Sequence, residues 1–227
     1  MEDLMSKGKC QFCGQTYSYK SIGQIMDQGI KVPDYECDCM KKHLEEERKS
    51  KHIEKVGHLY RESKVDRFWL ESKFKVYNKK LIPYYENLDW IKNGIQLLCY
   101  GGPGNHKTGQ VTSIAKKVMR YLHSVKYFRA NDIPHQWKQY NKMKTCSLLI
   151  IDNFGLEVYE GSRGSLFEIV DYRIHNYKST IIISNGDLDD INEIYKTPFV
   201  SRLKCFTAIE IDGEDKRIEK YGRSTND

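Results

Sequence analysis

One stretch carries residues whose order could do phosphate chemistry. Leu97-Leu98-Cys99-Tyr100 is an apolar run, and Gly101-Gly102-Pro103-Gly104-Asn105-His106-Lys107-Thr108 follows it directly. A phosphate-binding loop needs this order: a buried strand, a turn whose backbone N–H groups converge on an anion, and a helix N-terminus. Gly101 and Gly104 let the backbone approach phosphate oxygens. Lys107 is placed to reach the β- and γ-phosphates, and the Thr108 hydroxyl to sit on Mg²⁺. The pattern G-x-x-x-x-G-K-[ST] is met everywhere except at His106, which stands where the last glycine belongs. A positive φ is expected there, and His tolerates one better than most residues. On this stretch alone, a Gly-Pro turn beside an unrelated Lys-Thr remains open.

Four cysteines suggest different chemistry. Cys10-Gln11-Phe12-Cys13-Gly14 is a knuckle with two thiols two residues apart, and Cys37-Asp38-Cys39 follows after a polar loop. Two close pairs so separated can give four sulfurs to one tetrahedral Zn²⁺, which would supply folding energy that the short segment lacks. Four thiolates leave no open position, so such a zinc builds a platform and catalyses nothing. A disulfide pair suits a reducing compartment less well, and no βαβ pattern surrounds a redox Cys-x-x-Cys. His43 is near enough in sequence to act as a reserve ligand; His52 and His58 read as surface residues. Cys99, Cys146 and Cys205 lie within or beside apolar runs and read as buried small residues.

These groups need elements to hold them. From Met40 to Gly57 the chain is highly charged, with interleaved acids and bases, and predicts a solvated connecting helix. Residues 67–90 mix aromatics with lysines; they could stack on bases, dock on a core edge or wall an adenine pocket. After Thr108 a helical period over 110–123 puts Val111, Ile114, Ala115, Val118, Met119 and Leu122 on one side. A strand is expected over 125–130. A helix capped by Asn131-Asp132, with Pro134 in its first turn, is expected to run to about 140. Cys146-Ser147-Leu148-Leu149-Ile150-Ile151-Asp152 reads as a buried strand ending in a carboxylate, and Thr180-Ile181-Ile182-Ile183 as another ending at Ser184-Asn185. Helices over 166–177 and 188–196 and a strand over 206–211 complete an alternation that implies a parallel α/β sheet covered on both faces. Ligands sit at the carboxyl ends of such strands. Asp152 is there a candidate Mg²⁺-holding carboxylate, and Asn185 could orient the attacking water.

Composition sets the bounds. The 227 residues allow one sizeable core and a small appendage. Mean hydropathy is −0.67, no apolar run nears the ~20 residues of a membrane span, and the N-terminal residues lack a secretory apolar core. A cytoplasmic setting is expected, bacterial or in a phage-infected host. The net charge of +6 permits contact with nucleic acid without requiring it.

Leu166-Phe167-Glu168-Ile169-Val170-Asp171-Tyr172-Arg173 and Thr180-Ile181-Ile182-Ile183-Ser184-Asn185 complete a pattern that resembles the DnaC/IstB family of AAA+ ATPases, over residues 94–217. Pro198-Phe199-Val200-Ser201-Arg202-Leu203 and Ile211-Asp212-Gly213-Glu214-Asp215-Lys216-Arg217 fit the same pattern. The family includes replicative-helicase loaders and transposition helper ATPases. The resemblance implies an AAA+ P-loop core over 67–227 without a C-terminal lid, a helical linker over 46–66, and a zinc-binding domain over 1–45 that docks on the helicase. It implies ATP and Mg²⁺ as cofactors, Lys107 and Thr108 as Walker A, Asp152 as Walker B and Asn185 as sensor 1. Arg202 matches the arginine finger offered to a neighbouring subunit, and Arg217 the sensor 2. Asn153 stands where the family has a second acid; an amide cannot accept a proton, so weak hydrolysis is expected, with Glu157 a substitute to consider. The span between the Walker motifs is too short for a long DNA-contacting insertion. The leading expectation is a phage- or mobile-element-encoded loader that oligomerises and delivers a hexameric helicase to single-stranded DNA. The alternatives are a non-hydrolysing adaptor and a transposition helper, against which the cysteine head counts.

Overall fold

The computed structural model describes residues 5–10, 12–20, 38–155, 160–186, 188–195 and 197–212. Two compact units divide the chain, Met1–Lys55 and Val56–Asp227.

In the first unit, β1 (Met5–Lys9) and β2 (Thr16–Lys20) form an antiparallel hairpin with Met5 opposite Lys20. Its turn is closed by Cys10 N–H on Gln15 O at 2.7 Å and Gly14 N–H on Cys10 O at 2.8 Å. Gly14 has a φ of +74°, the left-handed conformation that glycine adopts without penalty. Helix α1 (Asp38–Glu62) then begins. Its residues 45–55 are all exposed, and Lys51 pairs with Glu47 one turn earlier at 2.6 Å. The interleaved charges thus make the solvated helix the sequence predicts.

In the second unit, β3 (Gln96–Tyr100), β4 (Val125–Arg129), β5 (Leu148–Phe154), β6 (Ser179–Ser184) and β7 (Thr207–Glu210) form one sheet in the order β4-β5-β6-β3-β7. Every pairing is parallel. Alternation along the strands splits the core in two. Leu97, Cys99, Leu148, Ile150, Ile181 and Ile183 face one layer, and Leu98, Leu149, Ile151 and Ile182 the other. Both faces are buried, so the strands read as continuous apolar runs rather than alternating ones.

Helix α4 (Lys107–Arg120) covers the first face, after α2 (Arg67–Glu71) and α3 (Ile82–Glu86). The second face is covered by α6 (Glu160–His175), α7 (Leu188–Ile194) and α8 (Thr197–Leu203), preceded by the short α5 (Tyr140–Thr145). Two expectations shift here. Helix α4 stops before Leu122, which has a φ of +63° and is exposed rather than part of the apolar stripe. The helix expected from Asn131 is instead two 3₁₀ turns, Ala130–His135 and Trp137–Gln139. The tighter winding stacks residues three apart, and it buries Ala130 and Ile133 together.

The free edge of β4 is covered by the chain leaving α1. Tyr127 N–H donates to Ser63 O at 2.8 Å, which blunts an edge that could otherwise pair with another chain. Glu62 beside it accepts Lys142 Nζ at 3.1 Å and Lys126 Nζ at 3.3 Å. These lysines hold its carboxyl at about 2, below the ordinary 4.5. A carboxylate depressed on folding stabilises fully above pH 4.5 and loses that contribution as pH falls toward about 2. Glu62 is half-exposed, so salt screens part of the effect. In thermal unfolding as a function of pH, Glu62→Gln should therefore be less stable than wild type above pH 4.5, and the two curves should converge in acid.

Candidate functional site

The loop between β3 and α4 is shaped from behind by the residue that follows β7. Ile211 N–H donates to Tyr100 O at 2.8 Å, and Asn105 Nδ2 to Ile211 O at 3.0 Å. A side chain at Gly101 would place its Cβ 2.6 Å from Ile211 O, and its φ is +138°. Gly101 is thus required twice over, by conformation and by space. Gly104 has a φ of +83° and is buried; Gly102 and Pro103 are exposed. His106 has φ +54° and ψ +27°, the left-handed conformation expected of the residue that replaces the glycine. Its ring packs on Phe74, with centroids 4.8 Å apart.

Lys107 is 5% exposed, and its ammonium donates to Gly101 O at 2.8 Å and Gly102 O at 2.6 Å. The cation therefore lies within the curl of the loop. Thr108 Oγ1 donates to Asp152 Oδ2 at 2.9 Å, which joins the two motifs across 44 residues. Asp152 is 5% exposed and also accepts the Tyr127 hydroxyl on Oδ2 at 2.6 Å and Asn153 N–H on Oδ1 at 2.8 Å. Burial, first, and the adjoining Asp152 push the Tyr127 phenol above its usual range, so it stays a donor. A lysine, a hydroxyl and a carboxylate at one strand–helix junction are what a nucleotide phosphate with Mg²⁺ requires.

The other residues fall around this centre. Strand β5 continues past Asp152 through a register shift between Ile151 and Phe154. Asn153 lies in it with a φ of +58°. A bulge of this kind re-aims side chains, and Asn accepts the left-handed conformation better than most residues. Asn185 is exposed and lies two residues past Ile183, which pairs with Cys99, two residues before Gly101. The register thus brings Asn185 level with the start of the loop. Ser184 shapes that turn, donating to Phe154 O at 3.0 Å and accepting Gly186 N–H at 3.1 Å. Arg202 is engaged elsewhere in the same chain: it pairs with Asp171 on α6 at 2.5 Å, above the Phe167 ring. Glu157, Arg217 and Cys37, and any lid past residue 212, lie outside the described residues. Cys99 and Cys146 are buried as expected, whereas Cys205 is exposed in the turn after α8.

Residues 67–90, left open by the sequence, dock on the first face of the core. Their extended part alternates in exposure. Lys73, Lys75, Tyr77 and Lys79 face solvent, and the intervening residues face the phosphate-loop helix. Three α4 side chains fix it. Gln110 Oε1 accepts Tyr77 and Asn78 N–H, Ser113 Oγ donates to Phe74 O at 2.8 Å, and Lys116 Nζ to Ser72 O at 2.5 Å. Gly109 makes room, since a Cβ there would meet Phe74 at 2.9 Å.

In the first unit, the sulfurs of Cys10, Cys13 and Cys39 lie within 4.8 Å of one another. His43 is not among them; its ring packs on Phe12 at 4.5 Å.

The family model of IstB-like ATP binding proteins matches residues 34–203, three quarters of the chain. The chain belongs to this family. No curated protein matches this IstB-like chain by sequence. Among solved structures, AMPPCP-bound DnaA from Aquifex aeolicus is similar with a TM-score of 0.56 and 17% identity, over 73% of this chain and 58% of that one. A putative primosome component from Streptococcus pyogenes serotype M3 gives 0.54 and 18%, over 66% and 91%. The DnaC helicase loader gives 0.50 and 21%, over 59% and 86%. At these identities the likeness establishes the fold, which is the AAA+ P-loop fold. The IstB-like chain spans little more than half of the Aquifex protein. Among the described residues, no helix is long and apolar enough to cross a membrane.

Proposed function

We propose that this chain is a replicative-helicase loader, phage- or mobile-element-encoded, that binds ATP with Mg²⁺ and delivers a hexameric helicase to single-stranded DNA. The observation that carries the ATP part is the convergence of Lys107, Thr108 and Asp152 at one strand–helix junction in a chain of the IstB-like family. Lys107 and the loop Gly101–Thr108 would bind the phosphates. Thr108 and Asp152 would hold the magnesium, which neutralises phosphate charge when bound. Asn185 would orient water, and Arg202 and Arg217 would act in a homo-oligomer, Arg202 after leaving Asp171. Asn153 cannot take a proton, and the loss of such acid–base help is worth roughly 10²–10⁴ in rate. Turnover is therefore slow, and ATP acts chiefly as a switch.

The head reading, residues 1–45 as a zinc-binding docking domain with 46–66 as linker and 67–227 as ATPase core, rests on the cysteines. A tetrahedral Zn²⁺ with bonds near 2.3 Å sets its sulfurs roughly 3.8 Å apart. The sulfurs of Cys10, Cys13 and Cys39, all within 4.8 Å of one another, could be drawn to that spacing by the metal, and Cys37 would complete the set. The test is capture of a hexameric replicative helicase by the full chain, alongside zinc content. One zinc per chain and capture are expected for wild type, and Cys10→Ser/Cys13→Ser should lose both. Capture that survives loss of the metal would refute the docking role. A transposition helper shares the ATPase core, and failure of wild type to capture any helicase would favour it.

A further inference from the structure

The geometry points to Tyr127 as a positioning residue that orients the Asp152 carboxylate for the magnesium ion. This inference rests on the nucleotide reading of the site. Tyr127 lies on β4 opposite Ile150, so Asp152 is the diagonal neighbour on the same face of the sheet. With neighbouring strands about 4.8 Å apart and a rise of about 3.3 Å per residue, such a diagonal pair is about 8 Å apart at the backbone, within reach of an aromatic side chain. The hydroxyl reaches Asp152 Oδ2 at 2.6 Å, while the residue is 5% exposed and belongs to the core of the first face.

Asp152 has three donors around it, and they differ in kind. Asn153 N–H is backbone and fixed by the bulge, and it occupies Oδ1. Thr108 Oγ1 is itself a candidate magnesium ligand: a lone pair of its oxygen can face the metal while its O–H stays on Oδ2, so this donor belongs to the metal shell. Tyr127 is the side-chain donor that stands outside that shell. Its phenol is neutral, buried and rigid, so it sets the carboxylate plane without adding charge near the metal. Oδ2 takes both hydroxyls, and Oδ1 has room for a second partner beside Asn153 N–H. The arrangement therefore leaves Asp152 able to accept from the magnesium shell while being held in place. Groups that orient a metal-holding side chain in this way are worth about 10–100-fold in metal affinity.

The experiment is a titration of MgCl₂ into the full chain with a fluorescent ATP analogue, together with binding of the same analogue in EDTA. Tyr127→Phe keeps the ring and removes only the hydroxyl. It is expected to raise the Mg²⁺ midpoint about tenfold and to leave the affinity in EDTA unchanged. In an Asp152→Asn background the same change should have no further effect on the midpoint, because its target is gone. An unchanged Mg²⁺ midpoint, or a parallel loss with and without metal, would overturn the inference and leave Tyr127 a packing residue. If wild type binds no analogue under either condition, the nucleotide reading fails and takes this inference with it.

Discussion

Replacing Arg173 by methionine should cost about 4 kcal/mol or more of folding free energy, because it orphans several buried acceptors together. Arg173 is completely buried on α6. Its guanidinium donates to Met143 O at 2.6 Å, Cys146 O at 3.0 Å and Lys144 O at 3.1 Å, to Thr180 Oγ1 at 3.1 Å, and to Ser179 O. One side chain thus gathers the end of α5, the entry to β5 and the start of β6. Its charge is met by carbonyl dipoles, and burial pushes its pKa below the ordinary arginine value. Methionine fills much of the volume but satisfies none of the carbonyls, each of which costs roughly 1–3 kcal/mol when left buried and unpaired. A domain's total stability is only about 5–15 kcal/mol. Arg173→Lys keeps the charge but loses the planar fork, and should fall about midway. Urea unfolding reads both as shifts of midpoint at constant slope. A loss under about 1 kcal/mol for the methionine variant would mean that these carbonyls find water or other donors.

The second large effect is on ligand rather than fold. Lys107→Ala should weaken ATP binding by about 30- to 1000-fold, equivalent to roughly 2–4 kcal/mol. The ammonium rests on Gly101 O and Gly102 O, two neutral acceptors in a loop open to solvent at Gly102. Phosphate oxygens would replace these neutral carbonyls with ionised acceptors, which adds charge–charge attraction to each hydrogen bond. The carbonyls can turn to solvent when the lysine is removed, so stability without ATP should barely change. Thermal shift separates the terms. Ligand at 100 times its dissociation constant stabilises wild type by about 2.7 kcal/mol, and the variant should gain almost nothing at the same concentration. Equal stabilisation of both proteins by ATP would show that this loop does not hold the phosphates.

Much of the α/β core was legible because its signals are local. Ile181-Ile182-Ile183 and Leu148-Leu149-Ile150-Ile151 can hardly be anything but buried strands, and Asp152 and Ser184-Asn185 mark their polar ends. The phosphate loop declares itself through glycines next to Lys107, and His106 takes the backbone conformation that its place in the motif demands. What stayed hidden depends on partners distant in sequence. Tyr127 reads as one more aromatic on a strand until β4 is known to lie beside β5. Lys73 and Phe74 belong to a polar, aromatic stretch that gains meaning only when Gln110, Ser113 and Lys116 are found holding it. Helix α6 starts at Glu160, across Gly161 and Gly164, where propensity argues for a later start. Arg202 was read from its place in a motif, and nothing in that motif predicts the pairing with Asp171.

The anchoring of the phosphate loop to Ile211 has a consequence for biosynthesis. Asn105 and Ile211 are 106 residues apart, yet one completes the shape of the other. Strand β3 likewise gains its neighbours only when residues 179–184 and 207–210 have been made. A nascent chain on the ribosome therefore carries the whole Lys-Thr motif, without being able to form its cradle, until Ile211 has been made. The shape of the loop is complete only once β7 and Ile211 have emerged.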